Sequence, residues 1–176
     1  MLLFDSKHLF KRLLGVGSIL ALVVLSACKF EPLHSTNASS VSASRLSSVG
    51  VAGVNNRVGQ QVRNHLLFLL NGGFGASEKQ YEARLRISDS NQTLASVPGQ
   101  NTTSGTVTIS TSYDLVELAS GNVVANGNRK ASASYDRTTQ VYANERAVRD
   151  AENRAAKEVA EALRLAIAAD MSKLGN

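Results

Sequence analysis

Cys28, the single cysteine of the chain, stands at the end of an apolar stretch near the amino terminus. The stretch covers residues 13–27, and Lys7, Lys11 and Arg12 precede it. A positively charged lead, a short apolar segment and a junction of small residues are typical of a secretory signal, which is removed from the mature protein. The segment is shorter than the roughly 20 apolar residues that a membrane-spanning helix needs. A lone thiol at this boundary is better explained by lipid attachment than by redox chemistry.

The tripeptide before Cys28, Leu25-Ser26-Ala27, resembles the end of a bacterial lipoprotein signal. The resemblance implies that residues 1–27 are a lipoprotein signal peptide and that cleavage falls before Cys28. The cysteine then receives a diacylglyceryl group, and a fatty acid such as palmitate acylates its new amino terminus. Lys29 follows where the usual inner-membrane retention signal would place Asp, which favours the outer membrane. The alternatives are a plain secretory signal with an accidental thiol, or one membrane-spanning helix.

No set of residues predicts catalysis, a metal centre or a cofactor. His8 lies in the signal, His34 in the segment that follows it, and His65 in a predicted helix, so they form no metal site with cysteine. The same three histidines give no credible Ser-His-acid set. The glycines at 50–53 and 72–75 lack the pattern of a phosphate loop or a dinucleotide fingerprint. We therefore predict a binding or structural component that is not an enzyme and carries no cofactor.

The mature chain carries only a mild excess of positive charge. Removing residues 1–27 reduces the 19 basic and 14 acidic residues of the full sequence to 16 and 13, in 149 residues. This length suits one domain with a real core. A net charge of about +3 does not indicate nucleic acid as a partner, and export makes that partner implausible. Residues 28–44, rich in Ser, Ala and Asn, are predicted to form a flexible tether that spans roughly 20–25 Å.

Residues 45–176 are predicted to form one α+β domain. Two stretches have helical periodicity, with the pair Asn55-Asn56 and Asn144 as candidate N-caps, and the other elements alternate as strands do. Predicted strands cover about 45–52, 81–88, 106–115 and 123–137; predicted helices cover 57–70 and 144–173. Each strand has one apolar side, so we predict a two-layer sandwich with two helices packed on one face of a four-stranded mixed sheet, in the order β-α-β-β-β-α. The helices should pack through Val58, Val62, Leu66, Val159, Leu163 and Ile167.

The opposite face of the predicted sheet is rich in hydroxyl groups and carries three cations. Its predicted members are Glu82, Arg84, Arg86, Thr106, Thr108, Ser110, Ser112, Lys130, Ser132 and Ser134. A solvated antiparallel face explains such a pattern, and this is the commoner case. The alternative is a contact surface for a polar, phosphorylated molecule, because guanidinium groups donate paired hydrogen bonds to phosphate.

The mature sequence resembles the LptE family of lipopolysaccharide-assembly lipoproteins, in its alphaproteobacterial form. The matching segments are Cys28-Lys29-Phe30-Glu31-Pro32-Leu33-His34 after the cleavage point and Asn56-Arg57-Val58-Gly59-Gln60-Gln61-Val62-Arg63-Asn64, which leads into Leu66-Leu67-Phe68. The order of elements and the Ala-rich final helix also agree.

The resemblance implies an outer-membrane lipoprotein on the periplasmic side that plugs the LptD barrel and helps it to assemble. It also implies contact with lipopolysaccharide on its way to the outer leaflet. Arg84, Arg86 and Lys130 are the candidate contacts here, chosen by their chemistry and not by a family motif. Family members carry a basic residue in the loop between the second and third strands, but residues 89–104 contain no Lys or Arg. The alternatives are a lipoprotein subunit of another envelope assembly or transport machine, and a periplasmic enzyme or sugar-binding protein.

Overall fold

The computed structural model describes residues 45–73, 78–93 and 103–174. These residues form β1 (Val49–Val51), α1 (Arg57–Asn71), β2 (Tyr81–Thr93), β3 (Thr103–Glu117), β4 (Val123–Arg137) and α2 (Val141–Leu174). The predicted α+β class, with helices against a four-stranded mixed sheet in the order β-α-β-β-β-α, is confirmed. Cys28, the predicted signal peptide and the predicted tether lie outside the described residues. Among the described helices, none has the length and apolar character to cross a membrane.

The strands lie side by side in the order β1-β2-β3-β4. β1 runs parallel to β2, with Val51 beside Ala83, whereas β2 with β3 and β3 with β4 are antiparallel. The parallel pair follows from the helix between its strands, because α1 returns the chain to the end of the sheet from which β1 started. β1 has three residues and β2 has 13, so most of β2 extends past its parallel neighbour.

Helix α1 begins and ends at signals that the sequence carries. Of the predicted pair Asn55-Asn56, Asn56 is the N-cap, and its Oδ1 accepts a 2.7 Å hydrogen bond from the Gly59 N–H. At the other end Gly72 adopts φ 70°, a left-handed conformation that suits glycine, and its N–H donates to the Phe68 carbonyl. The apolar stripe between these ends is buried, with Val58, Val62, Leu66 and Leu70 facing the core.

Helix α2 packs against the sheet largely through small side chains, which allow close approach of the two backbones. Its buried residues are Ala151, Ala155, Ala156, Val159, Ala160, Leu163, Ala166, Ile167 and Met171. The predicted packing residues Val159, Leu163 and Ile167 are each fully buried. Both predicted stripes therefore face one shared core.

The prediction that Asn144 caps α2 is wrong. The helix begins at Val141, so Asn144 lies inside its first turn. The Asn144 side chain instead accepts from the Thr138 N–H and donates to the Thr138 carbonyl, both at 2.7 Å. The amide thus holds the connection between β4 and α2 in place, a local side-chain-to-backbone contact that competes with capping.

The loop predicted for residues 89–104 is shorter than expected. β2 continues to Thr93 and β3 starts at Thr103. Beyond Ile87, the side chains of β2 are polar on both faces of the strand, so no alternation of apolar and polar residues marks these residues as a strand. In the structure β2 pairs with β3 in one register from Tyr81 to Thr93, and the sequence alone does not reveal this pairing.

Two tyrosines on the core face of the sheet each lie opposite a glycine. Tyr113 on β3 faces Gly127 on β4, and Tyr135 on β4 faces Gly105 on β3. The Tyr113 hydroxyl donates to Asp170 of α2 at 2.6 Å, and the Tyr135 hydroxyl donates to Asn91 of β2 at 2.7 Å. Both rings thereby fill the space over a residue without a side chain and still satisfy their polar ends.

Candidate contact surface

The face of β2, β3 and β4 that points away from the helices is polar along most of its length. The register places its residues in five rows across the three strands, and we call these fifteen residues the polar face. The rows are Gln92–Thr106–Ser134, Ser90–Thr108–Ser132, Ser88–Ser110–Lys130, Arg86–Ser112–Asn128 and Arg84–Asp114–Asn126. Every one of these side chains is exposed or half-buried.

Hydroxyl and amide groups of the polar face bond to one another across the strands. The Thr108 and Ser132 hydroxyls lie 2.8 Å apart, and those of Thr106 and Ser134 lie 3.4 Å apart. Asn128 donates through Nδ2 to the Ser112 hydroxyl at 3.0 Å and to the Ser110 hydroxyl at 3.4 Å. Cross-strand pairs of this kind stabilise a sheet by a few tenths of a kcal/mol to about 1 kcal/mol each. Some hydrogen-bonding groups of the polar face therefore bond to one another, and the remaining donors and acceptors point to solvent.

The two arginines of the polar face each meet a carboxylate. Arg86 donates to Asp114 through both terminal nitrogens, at 2.5 and 3.3 Å, and Arg84 lies 3.4 Å from Glu82 at the edge of the face. These hydrogen bonds lower the pKa of Asp114 below its usual value and raise the pKa of Arg86. Both arginine side chains remain more than half exposed, so the pairs orient the guanidinium groups without removing them from solvent.

Lys130 differs from these arginines because it makes no ion pair among the described residues. Lys130 lies two strands away from Arg86 and one row further along the sheet. At the regular spacing of a sheet, the Cα atoms of the two residues are about 12 Å apart. The structure thus brings the three predicted contact residues, Arg84, Arg86 and Lys130, to one face but not into one cluster. It does not describe Cys28, the predicted lipidation site.

A separate open cavity of about 490 Å³ lies at the end of the sheet where β2 and β4 finish. The N-terminal turns of both helices border it, and Arg57 forms an ion pair there with Glu152. Its other lining residues include Arg137, Arg149, Glu145 and Tyr135. Sequence reasoning missed this cavity because its walls come from four separate elements. Three cations and two carboxylates give it little net charge.

The described residues hold no group of three or more His, Cys, Asp or Glu side chains that could bind a metal ion. The polar face is built from hydroxyls, amides and mostly paired charges.

Comparison with known proteins finds solved structures that share this fold. No protein-family model matches it, and no curated protein sequence matches it. A crystal structure of a Caulobacter crescentus protein described as a lipoprotein aligns with a TM-score of 0.64 at 24% identity, over 76% of this chain and 96% of the other. Rare lipoprotein B from Shewanella oneidensis aligns with a TM-score of 0.54 at 13% identity, over 73% and 97%.

A minor lipoprotein from Acinetobacter baumannii aligns as well, with a TM-score of 0.51 at 15% identity, over 69% of this chain and 89% of that protein. At these identities, the similarities establish a shared fold. Each of these three neighbours is described as a lipoprotein.

Proposed function

We propose that the chain is an outer-membrane lipoprotein, anchored through Cys28 on the periplasmic side, that plugs the LptD barrel and assists its assembly. In this proposal it also takes part in delivering lipopolysaccharide to the outer leaflet. The lipoprotein-type signal, the LptE-like sequence segments and the fold shared with solved lipoproteins support it.

The polar face is the observation that carries the proposal. A wide β-barrel has a polar lumen that a plug must match with donors and acceptors rather than with apolar side chains. Here five successive rows of a three-stranded sheet present hydroxyl, amide and charged groups, and none presents an apolar side chain. The helix layer buries the apolar side chains of the opposite face, so the polar face remains available to contact the hydrated, polar inner wall of a barrel.

A site-specific crosslinking experiment tests the barrel contact. A photoreactive residue at Thr108, in the middle of the polar face, should crosslink to LptD in cells, as detected with an antibody against the barrel. The same residue at Glu158, on the exposed side of α2, serves as the matched control. Crosslinking from Glu158 but not from Thr108 would contradict the proposed orientation.

The anchor is tested separately. Changing Cys28 to Ser should abolish labelling with radioactive palmitate and release the protein from the outer-membrane fraction, because the lipid chains supply the membrane affinity. Labelling that persists in the variant would show that the anchor lies elsewhere. If palmitate labelling depends on Cys28 but LptD never crosslinks, the chain is a lipoprotein subunit of another envelope machine.

A further inference from the structure

The two long edges of the sheet are not equivalent. β1 pairs with β2 only from Tyr81 to Ala83, and the Ala52 N–H donates the last hydrogen bond on this side, to the Ala83 carbonyl at 2.9 Å. The chain then turns away toward α1. The next ten residues of β2, 84–93, therefore have β3 on one side and, within the part of the chain that the structure describes, no strand on the other.

We call the side of residues 84–93 that faces away from β3 the open edge. The Ala83 carbonyl points to this side, and its direction identifies the other backbone groups that do so. Successive residues of a strand point their N–H and C=O to opposite sides, so every second residue shares the direction of Ala83. The outward residues are Leu85, Ile87, Asp89, Asn91 and Thr93. Among the described residues, none makes a hydrogen bond to these five N–H and C=O pairs. Asp89, Asn91 and Thr93 are also exposed.

On the opposite edge, along β4, arginine side chains occupy two of the outward carbonyls. Arg154 of α2 donates to the Ser134 carbonyl at 2.8 Å, and Arg129 donates to the Asn128 carbonyl at 2.6 Å. Proteins commonly protect exposed edges in this manner, because unpaired backbone groups are a template for another strand. The edge of β2 carries no such block in the described part of the chain.

The surroundings of the open edge specify the side chains of an incoming strand. On the helix side, Val54, Leu85 and Ile87 contribute to an open groove of about 280 Å³ beside the loop that precedes α1. On the other side, Arg84 and Arg86 project with 59% and 66% of their side chains exposed. A strand placed here would direct alternate side chains to this groove, where Asn55 and Asn56 lie beside the three apolar residues, and to two cations.

We propose that the open edge of β2 binds an extended segment of a partner protein as a fifth strand of the sheet. The segment has apolar residues on the side of Val54 and Ile87 and acidic residues on the side of Arg84 and Arg86. Because paired strands have the same rise per residue, the ten open residues of β2 accommodate a strand of up to about ten residues. A second copy is a poorer occupant, since its β2 brings the same two arginines and arginine side chains occupy two outward carbonyls of its β4 edge.

The proposal is tested with the mature lipoprotein in detergent micelles and an eight-residue peptide that alternates valine and glutamate. The peptide should bind and slow hydrogen exchange of the Ile87, Asp89 and Asn91 amides, as measured by NMR. A peptide that alternates valine and lysine should bind at least fivefold more weakly at low salt. A valine–glutamate peptide with N-methyl groups on the edge-pairing amides should not bind, because it cannot complete the hydrogen-bond ladder.

A proline substitution separates edge pairing from overall stability. The Asp89 N–H points away from β3, so Asp89→Pro removes an outward donor and leaves the ladder with β3 intact. We expect this variant to bind the valine–glutamate peptide at least tenfold more weakly than Asp89→Ala, which keeps the N–H. Ser132→Pro, at an outward position of the β4 edge, should change binding less than twofold.

Three results would overturn the proposal: equal binding of the N-methylated peptide to the unmodified protein, protection on β4 instead of β2, or no binding at millimolar peptide. A dimer in sedimentation experiments that Asp89→Pro dissociates would also overturn it, because a second copy would then occupy the edge. The N-methylated peptide is used with the unmodified protein, so its result does not depend on whether the proline variant folds.

Discussion

Tyr113 on β3 and Gly127 on β4 lie directly opposite each other on the buried face of the sheet. A Cβ atom at Gly127 would come within 2.8 Å of Cε1 and 2.9 Å of the hydroxyl oxygen of Tyr113. The ring cannot easily withdraw, because it is 1% exposed and its hydroxyl donates to Asp170 on α2. The pair therefore ties β4, β3 and α2 together at one point.

We expect overpacking in Gly127→Ala to lower the free energy of unfolding by about 1–3 kcal/mol. The reduced entropy of the unfolded chain should offset about 0.4–1 kcal/mol of this loss. Gly53→Ala is the matched control, because a Cβ atom there meets nothing within 4 Å. Urea denaturation of the two variants measures the difference. A Gly127→Ala variant as stable as Gly53→Ala would show that the tyrosine ring has room to move.

We also expect the Tyr113 hydroxyl to make the fold less stable at high pH. Burial, and secondly the hydrogen bond to Asp170, raise its pKa to about 12 from 10.0. Between these values the unfolded state releases the proton first, so the unfolded state binds fewer protons and stability falls as pH rises. Tyr113→Phe should be less stable than the unmodified protein near pH 8 and should lose less stability from pH 10 to pH 12. Parallel pH dependences would contradict the assignment.

Thr111 on β3 is the buried polar residue among those that the structure describes. It is fully buried, and its hydroxyl has no hydrogen-bond partner among the described residues. Thr111→Val replaces the unsatisfied hydroxyl with a methyl group, so we expect the free energy of unfolding to rise by about 1 kcal/mol. Thr108→Val on the polar face is the control, because it removes a 2.8 Å contact with Ser132 and should not stabilise the fold. Thermal unfolding compares both, and a destabilised Thr111→Val would reveal a partner for the hydroxyl.

Local signals in the sequence account for most of the fold. Asn56 and Gly72 mark the ends of α1, and the alternation around Leu85 and Ile109 marks strands, because caps and periodicity depend on neighbouring residues. The end of β2 was not predictable in the same way. Asn91 and Thr93 have polar neighbours on both faces, and only pairing with β3 shows that they belong to a strand.

The arrangement of the polar face was even less predictable than the end of β2, because it depends on contacts between residues far apart in the sequence. Side-chain alternation predicts that Arg84 and Arg86 share a face. The ion pair between Arg86 and Asp114 joins residues 28 positions apart, so it follows from the register of two strands. The open edge of β2 likewise depends on the shortness of β1, which the sequence predicts as a longer strand.

Under the proposed function, the three cations of the polar face contact the phosphates of lipopolysaccharide. Replacing Arg84, Arg86 and Lys130 together with Gln should weaken binding of purified lipopolysaccharide about tenfold at low salt, because charge-assisted hydrogen bonds to phosphate are lost. The effect should shrink as salt screens the remaining charges. Lys130→Gln alone should cause a larger loss than Arg86→Gln, since Arg86 must first leave Asp114 to reach a phosphate.

Replacing Arg146, Arg149 and Lys157 with Gln is the matched control, because it removes the same charge from exposed positions on α2. Crosslinking to LptD from Thr108 should persist in both triple variants, which separates lipid contact from barrel contact. Unchanged binding in the first set would show that the polar face serves only the barrel wall. A loss confined to the α2 set would instead move the lipid contact toward Arg149 and the cavity that it lines.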